Sequence, residues 1–278
     1  MNRSLLPPKL PLFAACLVFA VMNSSRADLL AIDEINYTSI TNGTASTGAG
    51  LGSWTSTPLG ANPGPSIQPG LTYSTLPVAD SSVKIGYGGK ATENLLSPVT
   101  TGTVWASFLI QGGGDSGGDP VGALITGSSG SLFVGFGGPN DGLSNQFGLG
   151  TTTNGGSWTP LDIGSFVNVF NISNTTIHYI VLSMDLTTSE INLWIDPTIE
   201  DTAAGTLGFP ANTRTLTVGN LTGWGVEGIG GALPTVDEFR LGTTSADMVA
   251  PVPEPRGYLV LGGIVLACCL MRRKTFAA

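Results

Sequence analysis

The sequence predicts an all-β fold, an antiparallel sandwich or barrel, and three observations carry that expectation. Short runs alternating apolar and polar residues with a period of two recur along the chain. Gly, Asn, Asp, Ser and Thr separate them, with 40 glycines in 278 residues. No segment of the central region has helical periodicity long enough for a βαβ crossover, which leaves antiparallel pairing through turns.

Residues 30–37 form the first strand candidate. Residues 41–70, rich in Gly, Ser, Thr and Pro, read as a long surface connection that includes Gly52-Ser53-Trp54. Residues 82–87 follow, then 103–110, in which Val104, Ala106, Phe108 and Ile110 share one face. Residues 131–136 and 166–170 repeat the pattern. Residues 176–186 and 191–195 flank the turn formers Thr187-Thr188-Ser189, which predicts a hairpin. Residues 214–218 and 236–241 complete the set.

The two ends differ from this pattern. A basic start through Lys9, an apolar run 10–22 and Ser25-Arg26-Ala27 read as a signal peptide over 1–27, cleaved after Ala27. Thirteen apolar residues are too few for a permanent span. At the other end, Pro253 and Pro255 hold residues 252–255 extended and out of any sheet. The uncharged segment 257–271 follows, and Arg272, Arg273 and Lys274 close it. As a helix the apolar segment reaches about 22 Å, short of a bilayer core of about 30 Å. The cations after it favour the cytoplasmic side. Val252, Pro253, Glu254 and Pro255, with Arg256, the apolar segment and the basic end, resemble a PEP-CTERM sorting signal over 252–278. That resemblance implies export in a Gram-negative bacterium and processing by an exosortase. The tail would lie in the inner membrane at least transiently, before delivery to the cell envelope or extracellular matrix.

Between the ends, residues 28–251 suffice for one domain with a substantial core. They carry eighteen carboxylates and only four cations, Lys84, Lys90, Arg214 and Arg240. Phosphate neutralisation needs clustered Lys and Arg, so a nucleic-acid partner is disfavoured. Cys16, Cys268 and Cys269 all lie in the ends, so the domain has neither disulfides nor cysteine metal sites.

Ala31 to Glu34, the Gly-Ser-Trp at 52–54, Val104 to Leu109, Val181 to Leu186, Leu193 to Pro197 and Val236 to Thr244 resemble concanavalin A-like (laminin-G-like) jelly rolls. The resemblance implies an antiparallel jelly-roll β-sandwich, two stacked sheets with the first and last strands adjacent. A fold does not bring an activity with it. Glucanases of this type present Glu-x-Asp-x-x-Glu, whose alternating carboxylates reach across a scissile bond. No such string occurs here, and the pairs Asp33-Glu34, Glu200-Asp201 and Asp237-Glu238 would point to opposite faces of a strand. A glycan-cleaving enzyme would need carboxylates converging from distant strands. His178 is the only histidine and reads as a strand-edge residue, with no Gly-x-Ser-x-Gly elbow to support a triad.

Asp115 and Asp119 in a glycine-rich loop, and Asp141, offer hard oxygen ligands for calcium, against the plainer reading as turn chemistry. Sugar rings stack on indoles, so Trp54, Trp158 and Trp224, in Gly-rich stretches, form a candidate carbohydrate platform, with burial as the competing role. Trp105 and Trp194, inside strand patterns, read as core. Arg240 is expected to pair with a carboxylate of the neighbouring terminal strand, Glu34. The functional expectation is a non-enzymatic adhesive or exopolysaccharide-associated module. The alternatives are a glucanase or a surface protein without ligand.

Overall fold

The computed structural model describes residues 29–46, 49–57, 65–76, 81–84, 89–113, 121–136, 146–152, 170–228 and 234–250. They form two antiparallel sheets. Numbered in chain order, one sheet holds β1 (Ala31–Asp33), β3 (Ser66–Pro69), β4 (Ser81–Lys84), β6 (Thr103–Gln111), β11 (His178–Asp185), β12 (Glu190–Ile195), β13 (Asn212–Thr215) and β15 (Thr235–Gly242). The other holds β2 (Leu51–Thr57), β5 (Lys90–Val99), β7 (Val121–Gly127), β8 (Ser131–Phe136), β9 (Gln146–Thr152), β10 (Phe170–Asn171) and β14 (Leu221–Gly228). The eight-stranded sheet runs β13-β12-β11-β6-β15-β4-β3, with β1 also on β15; the seven-stranded sheet runs β10-β9-β8-β7-β14-β5-β2.

The first and last strands pair as expected, with Ile32 opposite Arg240. The hairpin β11–β12 forms with Ser183 opposite Asn192. Period-two alternation then sorts the side chains. Val104, Ala106, Phe108 and Ile110 of β6 and Ile180, Leu182 and Met184 of β11 face the second sheet and join the main core. Leu109, Tyr179 and Val181 face the other way and belong to a separate cluster with Leu71, Leu76 and Met248. That cluster is the outer face of the eight-stranded sheet. It is roofed by α1 (Ile199–Ala204), by the loop after β3 and by the 3-10 turn Ser245–Met248. Helix α1 starts where the Thr198 hydroxyl accepts from the Asp201 N–H at 3.0 Å, and stops at Gly205, whose φ of 69° suits glycine.

Several expectations are corrected. Residues 51–57 are strand β2 rather than surface connection, its edge sealed by backbone bonds such as Trp54 N–H to the Thr44 carbonyl at 2.7 Å. The first strand ends at Asp33 because Ile35 takes φ 46°. Glu200-Asp201 begins a helix, where carboxylates favour the N-terminal dipole. Asp237 and Glu238 are both buried because β15 bulges there, Glu238 taking φ 52°. The signal peptide with Ala27, the calcium candidates Asp115, Asp119 and Asp141, Trp158, and the tail with Val252, Pro253, Glu254, Pro255, Arg272, Arg273 and Lys274 lie outside the described residues. Among the described residues no helix is long and apolar enough to cross a membrane.

Candidate functional site

Four of the five tryptophans fall among the described residues, and they divide between the core and the outer face. Trp54 and Trp224 are buried to 1% and 0% exposure inside the sandwich, so they cannot offer an open platform. Trp54 packs edge-on to Trp224 at 5.4 Å between ring centroids, and Trp224 stacks flat on Phe239 of the opposite sheet at 4.3 Å. The reason is local. Gly223 and Gly225 flank Trp224, and a Cβ at either would run into the backbone of β5. The absence of side chains there lets β14 pack closely and drives the indole inward.

Trp105 and Trp194 are instead partly exposed on the outer face of the eight-stranded sheet. Parity decides this, because Val104 and Ala106 flank Trp105 and Leu193 and Ile195 flank Trp194, and these neighbours face the inner core. The two indoles lean across β11 and stack, with centroids 5.4 Å apart and planes at 21°. Trp194 Nε1 donates to the Gly208 carbonyl at 2.9 Å, which fixes its ring. Beside them runs a polar row: Ser183 opposes both Trp105 and Asn192, and Asn192 opposes Thr213. The Asn192 amide donates to Glu190 Oε1 at 3.0 Å, and Thr213 donates to Asn192 Oδ1 at 2.6 Å. Phe209, on the loop that holds Trp194, is fully exposed. The face therefore offers an aromatic surface bordered by fixed amide, hydroxyl and carboxylate groups.

His178 is the first residue of β11, the strand-edge position expected of it, and is buried and clasped there. Its Nδ1 lies 2.7 Å from Asp196 Oδ2 and its Nε2 lies 2.9 Å from the Ser173 carbonyl. A carbonyl and an ionised carboxylate only accept, so the geometry suits a ring that donates from both nitrogens, the imidazolium form. Burial opposes that charge, but the hydrogen bond to Asp196, the bond to Ser173 and the Asp196 charge outweigh it and raise the pKa above its ordinary value. In that form neither nitrogen keeps a lone pair for general-base work. Asp196 Oδ1 also accepts from the Tyr179 N–H at 2.9 Å, a reach obtained with φ 52°. Tyr73 stands beside this carboxylate. Burial first, then the Asp196 charge and hydrogen bond, push the phenol up to about 12.

Inside the sandwich, carboxylates from distant strands do converge. The Tyr37 hydroxyl lies 3.0 Å from Asp33 Oδ1 and 3.4 Å from Glu93 Oε1, and Trp224 Nε1 donates to Glu93 Oε2 at 3.0 Å. Both carboxyls are fully buried. Desolvation, and then the charge of Asp33, push Glu93 up to about 9, and desolvation also raises Asp33. The pair thus holds a proton near neutral pH. It sits in the buried cluster of Tyr37, Trp54 and Trp224 and links β1 of one sheet to β5 of the other. Arg240 is buried beside Glu238, Nη2 to Oε2 at 3.4 Å, and also donates to the Ala250 carbonyl. The carboxylate beside it is therefore Glu238 and not Glu34, because the bulge turns Glu238 toward its own strand neighbour. No group of three or more His, Cys, Asp or Glu among the described residues is placed to hold a metal ion.

No family model matches the chain, and no curated protein matches it. Among solved structures, the chain is similar to lectin II from Ulex europaeus at 10% identity and TM-score 0.39, over 64% of this chain and 92% of that one. It is similar to the metal-free carbohydrate recognition domain of Emp46p at 11% identity and TM-score 0.39, over 65% and 88%. The carbohydrate recognition domain of Emp47p follows at 10% and 0.42, over 79% and 98%. At these identities and scores the likeness carries nothing about the residues of the outer face.

Proposed function

We propose that the chain is an exported, non-catalytic, concanavalin A-like β-sandwich whose Trp105–Trp194 face holds polysaccharide. The observation that carries the binding part is the stacked, partly exposed indole pair beside Ser183, Asn192 and Thr213. Indole faces take the apolar face of a sugar ring, and fixed amides and hydroxyls take its edge groups. The order of Val252 to Pro255, an apolar segment and Arg272 to Lys274 supports delivery by a PEP-CTERM signal, processing by an exosortase and work in the envelope or matrix. Calcium through Asp115, Asp119 and Asp141 stays with the sequence reading alone.

The test is retention of the full chain, in detergent, on immobilised extracellular polysaccharide from the source organism. Trp105→Ala and Trp194→Ala are expected to weaken retention about tenfold, equivalent to about 1.4 kcal/mol of stacking. Folded wild-type protein that passes unretained would remove the carbohydrate part and leave a surface protein without ligand. The glucanase reading requires a carboxylate pair in a groove, and no observation on the described residues favours it.

A further inference from the structure

The outer face is bordered by a clasp whose strength depends on one proton. His178 joins three pieces of chain: the turn before β11 through the Ser173 carbonyl, the end of β12 through Asp196, and, through Asp196, Tyr73 of the loop after β3. That loop lies over the outer face. Leu71 and Leu76 are buried in the same apolar cluster against which Tyr73, Trp105 and Trp194 pack, and the Tyr73 ring sits 5.5 Å from Tyr179. Asp196 is two residues from Trp194 and holds a left-handed backbone conformation that its carboxylate contacts maintain.

The groups around His178 are few. From β12 comes Asp196; from the loop after β3 comes Tyr73, reached through Asp196; from its own strand comes Tyr179. From β8 comes the uncharged ring of Phe136, with centroids 6.1 Å apart. The opposing residue of β6 is Ile110, and the turn Ile172 to Thr176 holds no titratable side chain. Among the described residues Asp196 is thus the one charge that meets the imidazolium. A neutral ring has a single N–H and can serve either Asp196 or Ser173, but not both. Loss of the proton therefore breaks one arm of the clasp and leaves Asp196 without its counter-charge beside Trp194.

We propose that His178 is a proton-operated positioning residue for the binding face: protonated, it fixes Asp196 and the Tyr73 loop at the border of the Trp105–Trp194 surface, and polysaccharide binding is coupled to uptake of that proton. The proposal rests on the reading of this face as a polysaccharide site. With one proton coupled, affinity falls as pH rises through the folded pKa of His178, by at most about tenfold per pH unit.

The experiment measures binding of the full chain to extracellular polysaccharide of the source organism between about pH 5.5 and 9, where an imidazole titrates. In parallel, the single histidine is followed by NMR with and without polysaccharide. The expected result is weaker binding at high pH, a His178 pKa that rises further when polysaccharide is bound, and a pH profile in His178→Gln that loses the imidazole step and keeps only the fall set by Asp237, which holds the same loop through the Leu71 N–H. Binding that is equally strong across the range, with a histidine pKa unmoved by polysaccharide, overturns the coupling and leaves the binding reading standing. Absence of binding at every pH overturns both. If His178→Gln fails to fold, the ligand-dependent pKa of the wild-type histidine decides the matter alone.

Discussion

At the scale of single residues, four tryptophans carry two different jobs. Trp54 and Trp224 tie the sheets together, and truncating either leaves a large void. Trp54→Ala or Trp224→Ala is expected to cost about 3–5 kcal/mol in chemical denaturation. Trp105→Ala or Trp194→Ala removes only a half-covered ring, so about 1 kcal/mol is expected, with the loss appearing in binding instead. Equal destabilisation by all four would contradict this division. The sequence held the information needed to place Trp105 and Trp194 outside, since the apolar neighbours of each already fill the inner face. Strand context alone points to burial, whereas parity points both rings outward. Trp54 and Trp224 were harder, because glycine neighbours look like loop chemistry until a second strand is known to press against them.

At the scale of elements, β6, β8, β11, β12 and β15 were legible because each is a short run rich in strand-forming residues between turn formers: β6, β8, β11 and β15 are buried over most of their length, and β12 alternates. Strands β5 and β14 were not. Glu93 and Glu227 sit where an apolar residue is expected, and glycines interrupt β14. Glu93 is held instead by Trp224 and the Asp33 pair, and Glu227 meets Lys90 at 3.5 Å. No local rule announces partners that come from distant strands. The bulge in β15 is a similar case: Asp237 accepts from the Leu71 N–H at 2.7 Å and the Glu238 N–H at 2.9 Å, which shapes the bulge and anchors the loop over the outer face. Arg240→Ala would leave Glu238 buried without this guanidinium and release the Ala250 carbonyl. A loss of about 3–5 kcal/mol is expected in urea unfolding, and a loss well below 1 kcal/mol would show that the ion pair adds little.

At the scale of the whole molecule, buried acids and the single histidine give stability one common pH dependence. Desolvation raises Glu93 to about 9 and Asp237 to about 8, and raises Asp33, while His178 is also raised. A raised folded pKa means the native state binds more protons than the unfolded chain. Each contribution is therefore fully present below the unfolded pKa and fades as pH climbs through the folded one. For Glu93 that window runs from 4.5 to about 9. Stability should peak on the acid side of neutrality and decline into the alkaline range, with a slope approaching about 1.4 kcal/mol per pH unit for each proton released. Glu93→Gln keeps an acceptor for Trp224 without the ionisation, so thermal melts across this range should become flatter. A wild-type profile that rises toward pH 9 would contradict the protonated pair.

The central claim is that the outer face of the eight-stranded sheet, through Trp105 and Trp194, is the binding surface. The most direct measurement follows the indole N–H resonances of the five tryptophans while extracellular polysaccharide from the source organism is added to the isotope-labelled full chain. The account predicts that the signals of Trp105 and Trp194 move together and saturate, while those of Trp54 and Trp224 stay fixed. Movement confined to Trp158, or saturable binding that leaves Trp105 and Trp194 unmoved, would contradict it.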